Sequence, residues 1–323
     1  MAVAHGGGRL VAMSDRRRVV LDTDLGSDVD DALALALLLG SPEVDLLGVT
    51  TTYGDTALRA RATSRLLQLA GVPGPGEPDG LPVRAGAGEP LSGAEVWWAG
   101  HEGTLLGDLS TAPVTPVTGP EDAADWVART AAATAGGVDL LAIGPLTGVA
   151  LALRRAPSLA RDLRSLVVMG GRWDDGDDGD EGGDEAEHNL RSDAVAAAEV
   201  LTCGAPTLVV GLEVTQQVHL SSADVERIAG AGPLGAALAA QVHQWRELWG
   251  ERWGVPHDPV TALLLCQPDL LELGPPGRAE VDDRGVSVHV PDPAGTVRVA
   301  TGVDAAGAAA AVVERVLRGC ART

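Results

Sequence analysis

Residues 19–39 hold this chain to a narrow set of folds. Val19-Val20-Leu21 is a short apolar run ending in Asp22, a polar turn follows from Thr23 to Asp30, and Ala32–Leu39 is then almost wholly apolar. The first run reads as a buried strand, and a helix without a polar face must be covered on most sides. A strand feeding such a helix needs a sheet beneath the helix and more chain above it. The following residues supply both. Gly40 and Pro42 stop the helix, Val44–Thr50 reads as a second strand, and Thr56–Ala70 carries Leu58, Ala62, Leu66 and Leu69 at helical spacing. Strand, helix, strand, helix is the pattern of a parallel sheet.

The alternation resumes after a Gly- and Pro-rich stretch from Gly71 to Leu91. Helices are expected at Glu121–Ala135, Thr147–Arg155, Asp193–Leu201, Ser222–Ala229, Leu234–Trp253, Pro259–Cys266 and Val303–Arg318. Strands are expected at Val138–Ile143, Leu166–Met169 and Thr207–Leu212, with antiparallel strands within Ala279–Ala300. The expectation is one α/β domain over 18–323, with a mainly parallel, Rossmann-like central sheet flanked by helices and a small antiparallel excursion near the C-terminus. Residues 1–17 are read as a disordered N-terminal tail without the apolar core of a secretory signal, and Met13 is a second candidate start.

Composition removes several functions. The formal net charge of −21 argues against nucleic acid or an anionic membrane as partner, and no apolar run reaches the ~20 residues of a membrane span. Every basic side chain is Arg, which excludes a lysine Schiff base and a phosphate-loop lysine. Cys203, Cys266 and Cys320 are too widely spaced for a zinc pattern or disulfide framework, and fit a reducing, cytoplasmic setting. Phe is absent, so ring stacking on a ligand falls mainly to tryptophans such as Trp97, Trp98, Trp245, Trp249 and Trp253, for which packing is an equal expectation. The acids crowded between Asp174 and Glu187 read as a solvated loop, with a substrate lid or cation trap as the sharper alternative.

Chemistry concentrates after the first strand. Asp22, Asp24, Asp28, Asp30 and Asp31 fall within ten residues, at the strand edge where open parallel sheets bind ligands. Helix capping by Ser27 or Asp28 explains one or two acids, but not Asp22 and Asp24 ahead of the Gly26 turn. Hard oxygen donors without His or Cys nearby select calcium or magnesium over zinc. An EF-hand fails, because Ser27 and Leu33 occupy the positions of its Gly and Glu. A magnesium phosphatase of the haloacid dehalogenase type also starts Asp-x-Asp, but Gly26 and the missing Lys count against it.

The run Val20-Leu-Asp-Thr-Asp-Leu-Gly-Ser-Asp-Val-Asp-Asp-Ala-Leu-Ala34 resembles the N-terminal signature of the inosine-uridine-preferring nucleoside hydrolases. Further blocks follow in the family's order: Gly48–Gly54, Leu140–Thr147, Leu166–Gly171, Glu187-His-Asn189 and His257-Asp258-Pro259. The resemblance implies calcium (Ca2+) held by Asp24, Asp31, the Ile143 carbonyl and Asp258, with Asp22 supporting the acids. Here the motif has two extra residues, which include Asp28. It further implies hydrolysis of the N-glycosidic bond of ribonucleosides. Asp24 would act as general base on the water, His257 would protonate the leaving base, and Asp30, Glu187 and Asn189 would bond the ribose hydroxyls. His101 matches a family loop near the pocket, and Asp55 stands where the family has Asn; both are expected to contact substrate. The implied partner is a small nucleoside, the setting purine and pyrimidine salvage, and the assembly a homodimer or homotetramer. A non-catalytic nucleoside-binding protein on the same scaffold is the competing function, and intact Asp24, Asp31, Asp258 and His257 favour the enzyme.

Overall fold

The computed structural model describes residues 16–98, 100–117, 119, 121–134, 136–173, 186–250 and 254–322. The expected tail up to residue 15, the acidic run 174–185 and Trp253 lie outside the described residues. The first half runs β1 (Arg17–Thr23), α1 (Asp30–Leu39), β2 (Val44–Thr51), α2 (Thr56–Leu69), β3 (Val83–Ala85), α3 (Glu121–Ala133), β4 (Val138–Ala142), α4 (Thr147–Arg155), α5 (Leu159–Asp162) and β5 (Leu163–Met169). The second half runs α6 (His188–Ser192), α7 (Ala194–Leu201), β6 (Thr207–Val210), α8 (Leu212–Thr215), α9 (Ser222–Ala229), α10 (Pro233–Trp249), α11 (His257–Cys266), β7 (Leu271–Leu273), β8 (Gly277–Val281), β9 (Ser287–Pro291), β10 (Val297–Val303) and α12 (Ala305–Cys320).

The strands form one sheet in the order β3-β2-β1-β4-β5-β6-β10-β8-β9, with β7 also on β10. From β3 to β10 all pairs are parallel. The expected antiparallel excursion is present, but it joins the main sheet. β10 runs parallel to β6 and antiparallel to β7 and β8, so it stitches the excursion to the parallel strands. β1 shows why its sequence is continuously apolar. Val19 and Leu21 point into one core layer and Val20 into the other, so both faces are buried. Every residue of α1 is buried, as its missing polar face requires, and α11 and α12 pack on it. No helix among the described residues is long and apolar enough to cross a membrane.

Several elements differ from expectation: α5, α6, α8 and β7 were not foreseen, and three further cases have a local cause. β3 lies inside the Gly- and Pro-rich stretch; three residues are too few to show a period. α10 ends at Trp249, where Gly250 turns left-handed at φ 68°, rather than at Trp253. α11 opens at His257 with Pro256 as N-cap, so Asp258 sits in the first turn and does not cap the helix. Truncating a fully buried side chain of α1, as in Leu37→Ala, is expected to lower unfolding free energy by ~2–5 kcal/mol, readable by denaturant titration.

Candidate active site

β1 lies between β2 and β4. The chain first winds from β1 toward β2 and later returns to β4, so the strand order reverses at β1/β4. In open α/β sheets the crevice at such a reversal is where ligands bind. A cavity of about 310 Å³ lies there, with Asp24, Asp30 and Asp31 from the β1–α1 segment, Ile143 after β4, Glu187 and Asn189 at α6, and His257 and Asp258 at α11 among its lining residues.

Three acids converge at its floor. Asp30, Asp31 and Asp258 are buried, and each places a carboxylate oxygen within 4.8 Å of the others. All three carboxyls are pushed well above the usual carboxylate range, first by burial and then by neighbouring acids. The Thr23 hydroxyl donates to Asp31, the Asp31 N–H to Asp30 (3.2 Å), and the Asp258 N–H to the other Asp30 oxygen (3.4 Å). Asp24 lines the same cavity outside this triplet. The α1 N-cap is Val29, with no side-chain bond, so capping does not account for the acids.

The other walls are hydrogen-bonded. Asn189 donates Nδ2 to the carbonyls of Ile143 (3.1 Å) and Met169 (3.2 Å). Glu187 caps α6, accepting from the N–H groups of Asn189, Leu190 and Gly171. His257 Nδ1 lies 2.7 Å from the Thr215 hydroxyl, and burial lowers its pKa to about 4. The mouth is aromatic. Trp97 and Tyr53 meet the His188 ring edge-on, and Trp245 stacks at a tilt on Trp249.

Residues 19–310 match the sequence profile described as inosine-uridine preferring nucleoside hydrolase. The chain belongs to that family. It is 30% identical over 285 residues to uridine nucleosidase 1 of Arabidopsis thaliana, covering 85% of this chain and 81% of that protein. It is 31% identical over 266 residues to the pyrimidine-specific ribonucleoside hydrolase of Citrobacter koseri, covering 78% and 80%. Among solved structures it is similar to a plant nucleoside hydrolase, with a TM-score of 0.74, 27% identity, and coverage of 93% and 98%. Nucleoside hydrolases are N-ribosyl hydrolases, and this match displaces the phosphatase reading.

Within this nucleoside hydrolase fold, two expected substrate contacts fall elsewhere. Asp55 is exposed and caps α2 by accepting from the Leu58 N–H at 2.9 Å; it does not line the cavity. An acid just before a helix is drawn to the free N–H groups there. His101 stands behind the cavity wall, its Nε2 2.9 Å from the Ser27 carbonyl, where it braces the acidic turn. Asp22 also faces away, toward Leu140, Gly148 and Val149, with one carboxylate oxygen on Thr50 and the other unpartnered. Burial raises its pKa to about 7.

Sequence reasoning missed Arg59 and Asp193. Arg59 is 1% exposed. Its guanidinium donates to the carbonyls of Asp24, Leu25 and Tyr53 and to the Ser27 hydroxyl, with Trp98 stacked 4.9 Å away. Its only signal was an Arg beside the apolar stripe of α2. Asp193 is fully buried and accepts from the N–H groups of Leu91, Ser92 and Ala196 and from the Thr147 hydroxyl. It fastens the segment leading to Trp97 onto α4 and α7.

Two predictions follow from this geometry. A Cβ at Gly144 would lie 2.7 Å from Asp24 Oδ1 and 2.8 Å from Asp24 N. Gly144→Ala should therefore displace Asp24 and lower cation affinity by at least ~10-fold in calorimetry, with little change in secondary structure. The second concerns pH. A raised folded-state pKa gives stability that is full below the unfolded value, near 3.8, and lost as pH rises through the folded value. Asp22, at about 7, and the three raised acids act this way. His257 acts oppositely, losing stability as pH falls from 6.5 to about 4, but it is one group against four. Chelator-treated protein should thus melt at lower temperature at about pH 8 than at about pH 5, and a divalent cation held by these acids should raise the melting temperature more at the higher pH. An equal cation-induced shift at both would contradict this electrostatic picture.

Proposed function

We propose that this chain hydrolyses the N-glycosidic bond of ribonucleosides, with calcium as its cation. The convergence of buried carboxylates beneath a hydrogen-bonded imidazole carries the reading. The donor set supports a hard divalent ion. Asp24, Asp31, Asp258 and the Ile143 carbonyl offer only oxygen, and several buried acids that repel one another bind a cation far better than they tolerate water. Asp30, whose carboxylate joins Asp31 and Asp258, is a further candidate. When bound, the ion makes a water easier to deprotonate and favours the two cis hydroxyls of a ribose.

The chain's own residues supply the remaining chemistry. Asp24 takes the proton of the attacking water as it reaches the anomeric carbon. Glu187 is already held by three N–H groups, yet a carboxylate has about four acceptor positions, which leaves one for a ribose hydroxyl. Asn189, with its amide nitrogen on two carbonyls, keeps its oxygen as an acceptor. These bonds fix the sugar, so binding energy from the constant part of the substrate orients the reacting bond.

His257 acts at the leaving base. With its pKa near 4 the ring is neutral at physiological pH. The Thr215 hydroxyl lies 2.7 Å from Nδ1, and the tautomer that serves the reaction is the one in which that hydroxyl donates to Nδ1 and Nε2 carries the proton. As a neutral donor, the ring gives a strong hydrogen bond to the base as the glycosidic bond breaks. The relatives named as a uridine nucleosidase and a pyrimidine-specific ribonucleoside hydrolase make uridine the first substrate to assay.

The test is a panel of purine and pyrimidine nucleosides assayed for free ribose, with and without chelator. Ribose release abolished by chelator and restored by calcium is expected, and Asp31→Ala should lose cation and activity together. Saturable binding without ribose release would mean a binding protein. His257→Ala should lower kcat/KM on uridine and inosine by ~10²–10⁴-fold. It should cost little on p-nitrophenyl riboside, whose leaving group departs as a stable anion. Asp24→Ala should damage both substrate types. Equal losses on both for His257→Ala would remove the proton-donor role.

A further inference from the structure

One polar side chain on the cavity has no part in the reaction just described. His188 stands between Glu187 and Asn189, and all three line the cavity. Glu187 is the extended N-cap of α6, at φ −61° and ψ 153°, so the chain begins to coil only at His188 and three consecutive side chains reach one space. The His188 ring is clamped. It meets Tyr53 edge-on at 5.9 Å and Trp97 at 5.6 Å. Tyr53 is buried, and its hydroxyl accepts from the Trp97 N–H at 2.8 Å, which closes the triangle. Tyr53 also holds φ 65°, a left-handed conformation uncommon for a side chain of this size. Its N–H donates to the Ala87 carbonyl at 2.8 Å and its carbonyl accepts from Arg59 Nε at 2.7 Å. Such strain persists only where the surroundings over-determine it.

Neither ring nitrogen of His188 has a hydrogen-bond partner among the described residues, and neither is sealed from solvent. A ring held this firmly, with open polar atoms on a ligand cavity, is a preformed contact for a ligand group. The aromatic arc places that contact. It continues from Trp97 to Trp249 at 6.2 Å and from Trp249 to Trp245 at 5.5 Å. Trp245 and His257 line the cavity together and line a smaller neighbouring one together as well. Along the arc, two indole rings therefore separate His188 from the His257 side.

We infer that His188 is a specificity-determining residue that hydrogen-bonds the 5′-hydroxyl of the ribose. The inference rests on the N-ribosyl hydrolase reading above. A ribose carries its base on C1′ and its hydroxymethyl on C4′, the two carbons that flank the ring oxygen, and both substituents leave the same face. With the cis diol on the floor and the base at His257, the hydroxymethyl is directed to the other end of the arc, beside Glu187 and Asn189. A neutral imidazole offers one donor and one acceptor, and a hydroxyl meets either, so the contact forms with either nitrogen presented. Tyr53 and Trp97 already fix the ring, so forming the bond costs little side-chain freedom.

The test compares uridine with 5′-deoxyuridine on the full chain with calcium, in wild type and in His188→Phe. That variant keeps a ring between Tyr53 and Trp97 and removes both nitrogens. Wild type should favour uridine in kcat/KM by ~3–10-fold, the span of one neutral hydrogen bond. His188→Phe should bring the ratio toward one by weakening uridine, with 5′-deoxyuridine nearly unchanged. A merely structural role would lower both substrates alike; that result, or a wild-type ratio of one, overturns the inference. The preference between uridine and inosine should be the same in both proteins, and a change there with the 5′ ratio intact overturns it in favour of a contact to the base. If wild type hydrolyses no nucleoside, the catalytic reading fails and calorimetric binding of the same pair decides. Tighter binding of uridine that is lost in His188→Phe then supports the contact, and equal or absent binding overturns it. If His188→Phe does not fold by thermal melting, His188→Leu and the wild-type ratio are read in its place.

Discussion

Mutual repulsion among buried carboxylates is the constraint around which this molecule is arranged. Two like charges about 4 Å apart repel by about 4 kcal/mol at an effective dielectric of 20. Asp30, Asp31 and Asp258 form three such close pairs, with Asp24 beside them. The chain's own answer is Arg59. Its positive charge favours the ionised form of Asp31, but its hydrogen bonds go to backbone carbonyls and a serine. One guanidinium cannot offset four acids, so Arg59 shapes the turn and leaves the cluster short of positive charge. That deficit is the physical content of a cation site.

Holding the acids together despite this cost takes the rest of the fold. The β1–β4 ladder sets Asp22 and Ile143 side by side through the Ile143 N–H and the Asp22 carbonyl. Gly144 removes a side chain that would strike Asp24. The wholly buried α1 fixes Asp30 and Asp31 by burying everything after them. Asp193 ties the far segment bearing the aromatic mouth to the same frame. Elsewhere Gly54, at φ 73°, leaves room for the Trp98 ring, which a Cβ would meet at 2.8 Å, and Trp98 in turn covers Arg59.

The sheet and the acid cluster were legible in the sequence because both leave short-range signals. Continuous apolar runs mark strands buried on two faces, and acids on both sides of a glycine turn exceed what capping explains. Glu187 and Asn189 were singled out only through the Glu187-His-Asn189 block of the family resemblance, since the short α6 leaves no periodic signal. Asp55 stands directly before the helix expected from Thr56, so its capping role was a local signal; only the family resemblance drew it toward the sugar. Other features depend on what is nearby only after folding. His101 fell one loop behind the wall it was expected to line. Arg59 has the composition of a surface helix residue, and only the turn folded over it makes it buried. β3 has too few residues to show a pattern and exists because β2 offers an edge.

The hydrogen bond between Asp30 and Asp258 joins residues 228 positions apart. Contacts of that separation form after local ones, since the intervening chain must be closed first. The acid cluster is therefore complete only once α11 has docked, near the end of folding, and before that the chain carries no assembled cation site. A cation that binds only the finished cluster stabilises the native state more than the transition state. The effect of such a cation would then fall on the rate of unfolding, leaving the rate of folding nearly unchanged, as a latch that closes after the structure is built.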